Sequence, residues 1–180
     1  RAGIGVACDY ASRLRTSIVH VMAGVIPAGM DRARCRDAFI ANLRYAAKAL
    51  SGIGVSLVIE PINSRDVPGY FLTTQADAHA IREEVGDANL RVQMDLYHTQ
   101  VMEGDLTQKL RRYLPHIGHI QIAGVPDRHE PDGDEVNYHY LLRLLDSLGY
   151  PGWVGCEYVP RGRTEDGLAW MHSLAAGERH

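Results

Sequence analysis

The sequence predicts an α/β fold with a parallel sheet, specifically a (β/α)8 TIM barrel from which the first three βα units are missing. Three observations support this prediction: apolar runs of strand length, helical patterns between them, and an oxygen-bearing side chain at the end of successive runs. Alternating strands and helices close either as a doubly wound sheet or as a barrel, and a barrel needs eight strands.

Five apolar segments are predicted to be buried strands. They are nearly continuous in apolar residues rather than alternating, which is typical of parallel strands that are covered on both faces. In chain order they are Ser17–Val25, Val55–Glu60, Leu90–Tyr97, Ile117–Ala123 and Trp153–Tyr158.

The segments between these strands have helical patterns. The clearest is Asp31–Leu50, whose apolar residues share one face and which is followed by Gly52 as a C-terminal stop. Ala2–Leu14 is also predicted to be a helix, without the strand that should precede it. The remaining predicted helices are Thr73–Val85, Asp105–Leu114, Tyr138–Leu148 and Thr164–Leu174.

The chain opens on Arg1 and a helix, so we expect a barrel that begins at its fourth strand. About 80 residues would then be absent at the N-terminus, if each missing unit has the length of those present. Residues 1–180 are therefore predicted to be the C-terminal part of one TIM-barrel domain, from about the fourth to the eighth strand.

Composition excludes several classes of function. A net charge of −3 without a block of like charges gives no basic surface for nucleic acid. No apolar run is long enough to span a bilayer and no signal peptide opens the chain, so we expect a cytoplasmic protein without membrane contact. Three widely spaced cysteines indicate neither a disulfide framework nor a zinc cluster. The oligomeric state stays open, with a homo-oligomer among the options.

Four consecutive predicted strands each carry one oxygen-bearing side chain among apolar neighbours. These residues are Glu60, Asp95, Gln121 and Glu157. In a barrel the carboxyl ends of the strands converge on one mouth, where active sites are built. We therefore expect the four side chains to meet there.

Taken singly, each of these residues has a structural interpretation. Gln121 could be a buried amide with satisfied hydrogen bonds, Asp95 a helix cap, and either glutamate the partner of an arginine. Together, three crowded carboxylates repel one another, and a divalent cation with oxygen ligands compensates for that repulsion. Because the set contains neither Cys nor His, it favours a hard ion such as Mg²⁺ or Mn²⁺.

Four long motifs contain these residues: "IEPINSRDVPGYFL", "MDLYHTQVMEGDL", "GHIQIAGVPDRHEPDGDEVNY" and "GYPGWVGCEYVPRGRTEDGL". They resemble the hydroxypyruvate isomerase family of the xylose-isomerase-like TIM barrels. The resemblance implies that Glu60, Asp95, Gln121 and Glu157 bind the metal and that the two glutamates transfer a proton. The missing first three units are the departure from the family pattern.

Three further residues are candidates for substrate binding. By similarity to the ketose 3-epimerases, His98 in "DLYH" and Arg128 in "GVPDRHEP" would contact substrate oxygens, and a guanidinium suits a carboxylate. His119 is predicted to share a face with Gln121 and to line the barrel, where a structural and a functional role are equally compatible with the pattern.

A cation flanked by two glutamates suits proton transfer beside a carbonyl. We expect an isomerase that moves a carbonyl between C2 and C3 of a small 2-oxo-3-hydroxy acid through an enediolate. The loops resemble the 2-oxo-tetronate isomerase subgroup, because Gly124 and Val125 stand where hydroxypyruvate enzymes more often have Asp-Asn.

Other functions are less compatible with the sequence. Hydroxypyruvate isomerase is the first alternative, and ketose 3-epimerase, which has a His at the position of Gln121, is the second. A DNA-repair endonuclease of the same superfamily would need several zinc ions, many His ligands and a basic surface. A non-catalytic binding or structural role stays formally open.

Overall fold

A computed structural model describes residues 1–171 as a curved, five-stranded parallel sheet with helices packed against it. The strands are Ile18–His20 (β1), Ser56–Ile59 (β2), Leu90–Asp95 (β3), Ile117–Ile122 (β4) and Val154–Cys156 (β5). The α-helices are Ala2–Leu14 (α1), Arg32–Ser51 (α2), Gln75–Val85 (α3), Leu96–Met102 (α4), Leu106–Tyr113 (α5) and Tyr138–Ser147 (α6). Two 3₁₀ helices span Leu114–His116 and Asp166–Leu168.

The order of the strands identifies the architecture. Each strand pairs in parallel with the next one in the sequence, in the order β1-β2-β3-β4-β5. A doubly wound sheet would reverse its strand order at a switch point, whereas a barrel continues in one direction. The described part of the chain is therefore an arc of a (β/α) barrel, as predicted.

The sheet curls so strongly that alternate strands meet across its concave face. A side chain at Gly118 on β4 would place its Cβ only 2.7 Å from Cγ1 of Val58 on β2. Glycine permits this close approach because it has no Cβ. The opposite face of β2 carries Leu57 and Ile59, which are fully buried in the main apolar core with Leu43 of α2.

Capping side chains set the starts of the helices. Asp31 accepts a hydrogen bond from the backbone N–H of Ala33, so α2 begins one residue later than predicted. Thr74 accepts one from Asp77 N–H at the start of α3, and Gly86 ends that helix in the left-handed conformation.

Two predicted strands are too long. Ser17–Val25 forms a strand only at Ile18–His20, because Ala23 N–H donates instead to the Tyr70 hydroxyl and the chain leaves the sheet. Leu90–Tyr97 ends at Asp95, whose side chain accepts the N–H of Tyr97 and starts α4, a helix that was not predicted.

The observed elements near the C-terminus are also shorter than the predicted ones. The last strand begins at Val154, and Trp153 before it is 88% exposed. The predicted helix Thr164–Leu174 contains the 3₁₀ helix Asp166–Leu168, and its final residues, 172–174, lie outside the described residues. Among the helices of residues 1–171, none combines the length and apolar character needed to cross a bilayer.

Candidate active site

The strand ends bring the predicted residues to one mouth of the arc. Glu60 follows β2 directly, and Pro61 after it has no N–H with which to continue the ladder. Asp95 is the last residue of β3 and lies opposite Gln121 of β4 in the strand register. Glu157 follows β5, and its N–H donates to the carbonyl of Ile122.

Asp95 is both a helix cap and a carboxylate with an unused oxygen. Its Oδ1 accepts the backbone N–H groups of Tyr97 at 2.7 Å and His98 at 3.4 Å. Its Oδ2 is buried and has no hydrogen-bond partner among the described residues. Burial raises the pKa of Asp95 to about 6, against the opposing effects of the Tyr97 N–H and the Arg128 charge. The cap prediction is thus confirmed, but it uses only one of the two oxygens.

Glu60 is buried, with 4% of its surface exposed, and Oε1 has no hydrogen-bond partner within residues 1–171. Its Oε2 lies 3.7 Å from Nε2 of His20, an imidazole whose pKa is lowered by burial. Burial, and then the negative charge of Asp95, raises the pKa of Glu60 to about 8. Without a compensating positive charge, this carboxyl group is therefore largely protonated at neutral pH.

His98 lies beside Asp95 and is 3% exposed. Its Nε2 is 3.8 Å from Asp95 Oδ2, while its Nδ1 is 2.7 Å from Nδ2 of Asn63. Burial, and then the positive charge of Arg128, lowers the pKa of His98 to about 4. The ring is therefore neutral at pH 7, so it can donate one hydrogen bond and accept another without adding a charge to the site.

Arg128 reaches into the mouth from the loop after β4. Its Nη2 lies 3.7 Å from Asp95 Oδ2 and 3.3 Å from Glu157 Oε2, and its Nη1 lies 3.5 Å from Asp66 Oδ2. The backbone of Arg128 has a φ of 58°, a left-handed conformation that costs free energy in a non-glycine residue. Its carbonyl accepts the N–H of Val159, which stabilises this conformation.

Tyr97 and Asp66 form a support under Arg128. The Tyr97 hydroxyl lies 2.9 Å and 3.1 Å from the two carboxylate oxygens of Asp66. The guanidinium carbon of Arg128 sits 5.1 Å from the centre of the Tyr97 ring, within cation–π distance. Arg65 lies over the same ring at 5.9 Å and donates to Pro126 O. The position of Arg128 is thus restrained by an aromatic face and by carboxylates.

Gln121 and His119 occupy the concave face of β4 together with Gly118, because the register with β3 shifts by one residue between Ile117 and His119. The side-chain amide of Gln93 donates to Oε1 of Gln121. A Cβ at Gly155 of β5 would lie 2.9 Å from His119 Nε2 and 3.3 Å from Gln121 Cγ, so both side chains face the same way. His119 is partly buried, and burial lowers its pKa. The predicted barrel-lining position of His119 is confirmed, whereas no role in binding follows from these contacts.

Glu60, Asp95 and His98 could hold a cation, because one ligand atom from each lies within 4.8 Å of the others. The two unpartnered carboxylate oxygens fit such an ion, since buried acceptors without donors are costly. Glu157 lies at the rim, with 55% of its side chain exposed and Arg128 as its ionic partner. The two carboxylates supply hard oxygen donors, which Mg²⁺ and Mn²⁺ prefer.

A large cleft lies at the opposite end of the strands. It has a volume of about 670 Å³, and its lining contains Arg91 and Arg111 but no carboxylate among the described residues. Catalytic groups of TIM barrels lie at the carboxyl ends of the strands. The candidate active site is therefore the mouth that contains Glu60 and Asp95, and not this cleft.

Sequence reasoning missed Asn63, Asp66, Tyr97, Gln93 and His20. Asn63 and Asp66 lie within "INSRD", which by itself is typical of a turn, and the side chain of Asn63 is fully buried. In the sequence, the available signal was an asparagine three residues after the glutamate at the end of an apolar run. The contacts that give these residues a role depend on the tertiary structure.

A family model described as "Xylose isomerase-like TIM barrel" matches residues 1–174 of this chain. Among curated proteins, the 2-oxo-tetronate isomerase of Cupriavidus necator is 57% identical over 171 residues, which cover 95% of this chain and 66% of that protein. The hydroxypyruvate isomerase of Escherichia coli is 43% identical over 171 residues, with coverages of 95% and 66%. The chain thus spans about two thirds of the length of these relatives.

A solved structure named AP endonuclease, family 2, from Brucella melitensis superposes with a TM-score of 0.93. It is 47% identical and is matched over 96% of this chain and 67% of that chain. The match extends over the five-stranded arc and therefore over the candidate active site.

Proposed function

This chain belongs to the xylose isomerase-like TIM barrel family, and on that premise we propose that the full-length protein is a metal-dependent isomerase of a small 2-oxo-3-hydroxy acid. The observation that carries the proposal is a pair of buried carboxylate oxygens, Glu60 Oε1 and Asp95 Oδ2. Neither oxygen accepts a hydrogen bond from the described residues, and both carboxylates belong to the group that could hold a cation.

Glu60, Asp95, Gln121 and Glu157 would hold the ion. When bound, Mg²⁺ or Mn²⁺ would offset the repulsion among the carboxylates and stabilise negative charge on the keto and hydroxyl oxygens of the substrate. The raised pKa values of Glu60 and Asp95 support this assignment, because burial and the negative charges of neighbouring carboxylates disfavour the ionised form of each group.

The two glutamates would move the proton. One removes it from C3, and the electron pair of the C3–H bond forms the C2–C3 double bond of the enediolate. The proton is then returned to C2 by the same or the other glutamate, while the hydroxyl proton passes from the oxygen on C3 to the oxygen on C2. Glu60 lies in the buried floor of the mouth and Glu157 at its rim, so the two can reach a substrate from different sides.

Arg128 and His98 would orient the substrate. The guanidinium contacts its carboxylate partners at 3.3 to 3.7 Å, longer than close charge-assisted hydrogen bonds, so its donors are available for a substrate carboxylate. His98 is neutral and faces the same mouth, where it can bind a substrate oxygen.

We propose 2-oxo-tetronate as the preferred substrate, with hydroxypyruvate as a slower one. The identity of 57% to the 2-oxo-tetronate isomerase of Cupriavidus necator supports this choice. Both acids present the same carboxylate, ketone and hydroxyl-bearing carbon, so only the pocket beyond C3 can distinguish them. A fitted hydroxymethyl group contributes about 1 to 3 kcal/mol, which is roughly tenfold to two-hundredfold in kcat/KM.

Side-by-side assays of the two acids on the full-length protein test the proposal, with Mn²⁺ present and products identified by NMR. A preference for 2-oxo-tetronate is expected. Equal efficiency or a preference for hydroxypyruvate would contradict the substrate assignment only. Absence of turnover with either acid, in a folded sample, would contradict the isomerase assignment.

A further inference from the structure

The buried amide of Asn63 has a defined orientation. Its Oδ1 lies 2.7 Å from the backbone nitrogen of Asp66, and a backbone N–H can only donate a hydrogen bond. The atom that faces Asp66 must therefore be the amide oxygen. The NH₂ group of Asn63 consequently points to the other side, towards His98.

This orientation determines which nitrogen of His98 carries the proton. Nδ2 of Asn63 is 2.7 Å from Nδ1 of His98, and the backbone N–H of Asn63 also points at Nδ1 from 3.4 Å. Both groups are donors, so Nδ1 must accept with its lone pair and cannot carry a hydrogen. In a neutral imidazole the proton then resides on Nε2.

Nε2 is the nitrogen that faces the candidate active site. It lies 3.8 Å from Oδ2 of Asp95, and the ring is almost fully buried between that carboxylate and Asn63. With a hydrogen on Nε2, this edge of the ring is a hydrogen-bond donor. A protonated ring nitrogen has no lone pair for a cation, so it complements a carbonyl or hydroxyl oxygen of the substrate instead.

We propose that Asn63 is a positioning residue that holds His98 in the Nε2–H tautomer, so that His98 donates a hydrogen bond into the active site and does not ligate the cation through Nε2. The tautomer depends only on contacts within the chain. Its effect on turnover rests on the proposed function.

Asn63→Asp is the most informative variant. One carboxylate oxygen can still accept a hydrogen bond from the Asp66 N–H. The other oxygen would face Nδ1 of His98, and because a carboxylate oxygen can only accept, it favours a hydrogen on Nδ1. The proton would move from Nε2 to Nδ1, and the active-site edge of the ring would change from donor to acceptor. Asn63→Ala removes the side-chain donor without offering an acceptor and should leave a mixture of tautomers.

The tautomer is measured by long-range ¹H–¹⁵N NMR of the full-length protein labelled with ¹⁵N-histidine, with and without Mg²⁺. The His98 signals are assigned by their loss in His98→Gln. We expect an unprotonated Nδ1 and a protonated Nε2 in the native protein, and the reverse in Asn63→Asp. A protonated Nδ1 in the native protein, or loss of the Nε2 hydrogen when Mg²⁺ is added, would overturn the proposal even if Asn63→Asp failed to fold.

Kinetics separate this proposal from the proposed function. Asn63→Asp should lower kcat/KM by at least tenfold, since one oriented donor to a charged oxygen is worth about a hundredfold or more. A native Nε2–H tautomer in a protein that isomerises neither acid would support the role of Asn63 and contradict the isomerase assignment. Full activity in an Asn63→Asp protein with an inverted tautomer would contradict the proposed hydrogen bond from His98 Nε2–H into the active site.

Discussion

Nη2 of Arg128 lies 3.7 Å from Oδ2 of Asp95, the carboxylate oxygen that accepts no hydrogen bond from the described residues. Asp95 is fully buried, so its charge requires a nearby positive group, and a guanidinium at this distance partly meets that requirement. The same guanidinium also faces Glu157. Arg128 thus links the buried floor of the mouth to its exposed rim, where a substrate carboxylate would enter.

Arg128→Gln is expected to lower kcat/KM for the keto acid by about tenfold to hundredfold, because a hydrogen bond to a charged group contributes about 1.5 to 3 kcal/mol. Steady-state kinetics on the full-length protein measure this loss. Arg65→Gln is the matched control, since Arg65 also lies over the Tyr97 ring without an ionic contact to Asp95 or Glu157. Equal losses in the two variants would contradict the assignment of Arg128 to the substrate carboxylate.

Glu60→Gln and Glu157→Gln should each abolish isomerisation, because an amide retains the shape of the side chain but cannot take up a proton at neutral pH. The expected loss in turnover is on the order of 10²-fold or more. Glu165→Gln changes an exposed glutamate that pairs only with Arg163 among the described ionic contacts, and it should retain normal turnover. If a folded Glu60 or Glu157 variant kept near-native turnover, that glutamate would not be a proton carrier.

A divalent cation should stabilise the folded full-length protein. At a hundredfold excess over Kd, a ligand that binds only the native state adds about 2.7 kcal/mol. For a protein of this size class, that corresponds to a rise in Tm of roughly 5 to 10 °C. Thermal unfolding with and without Mn²⁺ measures the rise, and elemental analysis gives the stoichiometry.

Asp95→Asn should remove most of this stabilisation, because it withdraws a charge from the ligand set. Asp77→Asn is the control, since Asp77 is an exposed residue in the first turn of α3. A native protein whose Tm does not respond to Mn²⁺ or Mg²⁺, or a response that survives in Asp95→Asn, would rule out the predicted ligands.

The sequence was sufficient to locate the strand-end residues for a physical reason. A carboxylate at the end of an apolar run, as in "LVIEP", does not contribute to the apolar core, so it stands out in the sequence. Consecutive parallel strands then bring such residues to one edge of the sheet. Glu60 and Asp95 are therefore found by pattern alone. The same pattern also misled at Asp95, because an apolar run continues through Leu96 although the side chain of Asp95 has already started a helix.

The supporting residues could not be predicted because their roles depend on long-range contacts. Asn63 meets His98 across 35 positions in the sequence, and Asp66 meets Tyr97 across 31. Locally, asparagine and aspartate after a strand are typical of any turn. Only the packing of the loop after β2 against α4 brings these side chains into contact with His98 and Tyr97.

His79 is a buried imidazole in α3 and is not one of the candidate active-site residues. It is 4% exposed and stacks on the Tyr113 ring, with centroids 4.0 Å apart and planes 5° from parallel. Neither ring nitrogen has a hydrogen-bond partner among the described residues. Burial, followed by the positive charge of Arg82, lowers the pKa of His79 to about 4. The folded protein therefore keeps this ring neutral.

The depressed pKa of His79 makes the folded state less stable in acid. Between pH 6.5 and pH 4 the unfolded chain binds a proton at this residue while the folded protein does not, so the free energy of unfolding falls as the pH falls. The contribution is complete above pH 6.5 and amounts to about 3 kcal/mol, because the pKa values of the folded and unfolded states differ by about 2.5 and each pKa unit corresponds to 1.36 kcal/mol. His79→Phe, which retains an aromatic face for Tyr113, should lose this dependence. Urea unfolding of the native and His79→Phe full-length proteins at pH 7.5 and pH 4.5 measures it as the difference between the two proteins, in which the other titrating groups cancel.

His116→Phe is the control, because the His116 ring is less buried and its Nδ1 lies 2.8 Å from Nη2 of Arg82, so its substitution should change the pH dependence less. Parallel pH profiles for the native and His79→Phe proteins would show that His79 can be protonated in the folded state at no cost in stability.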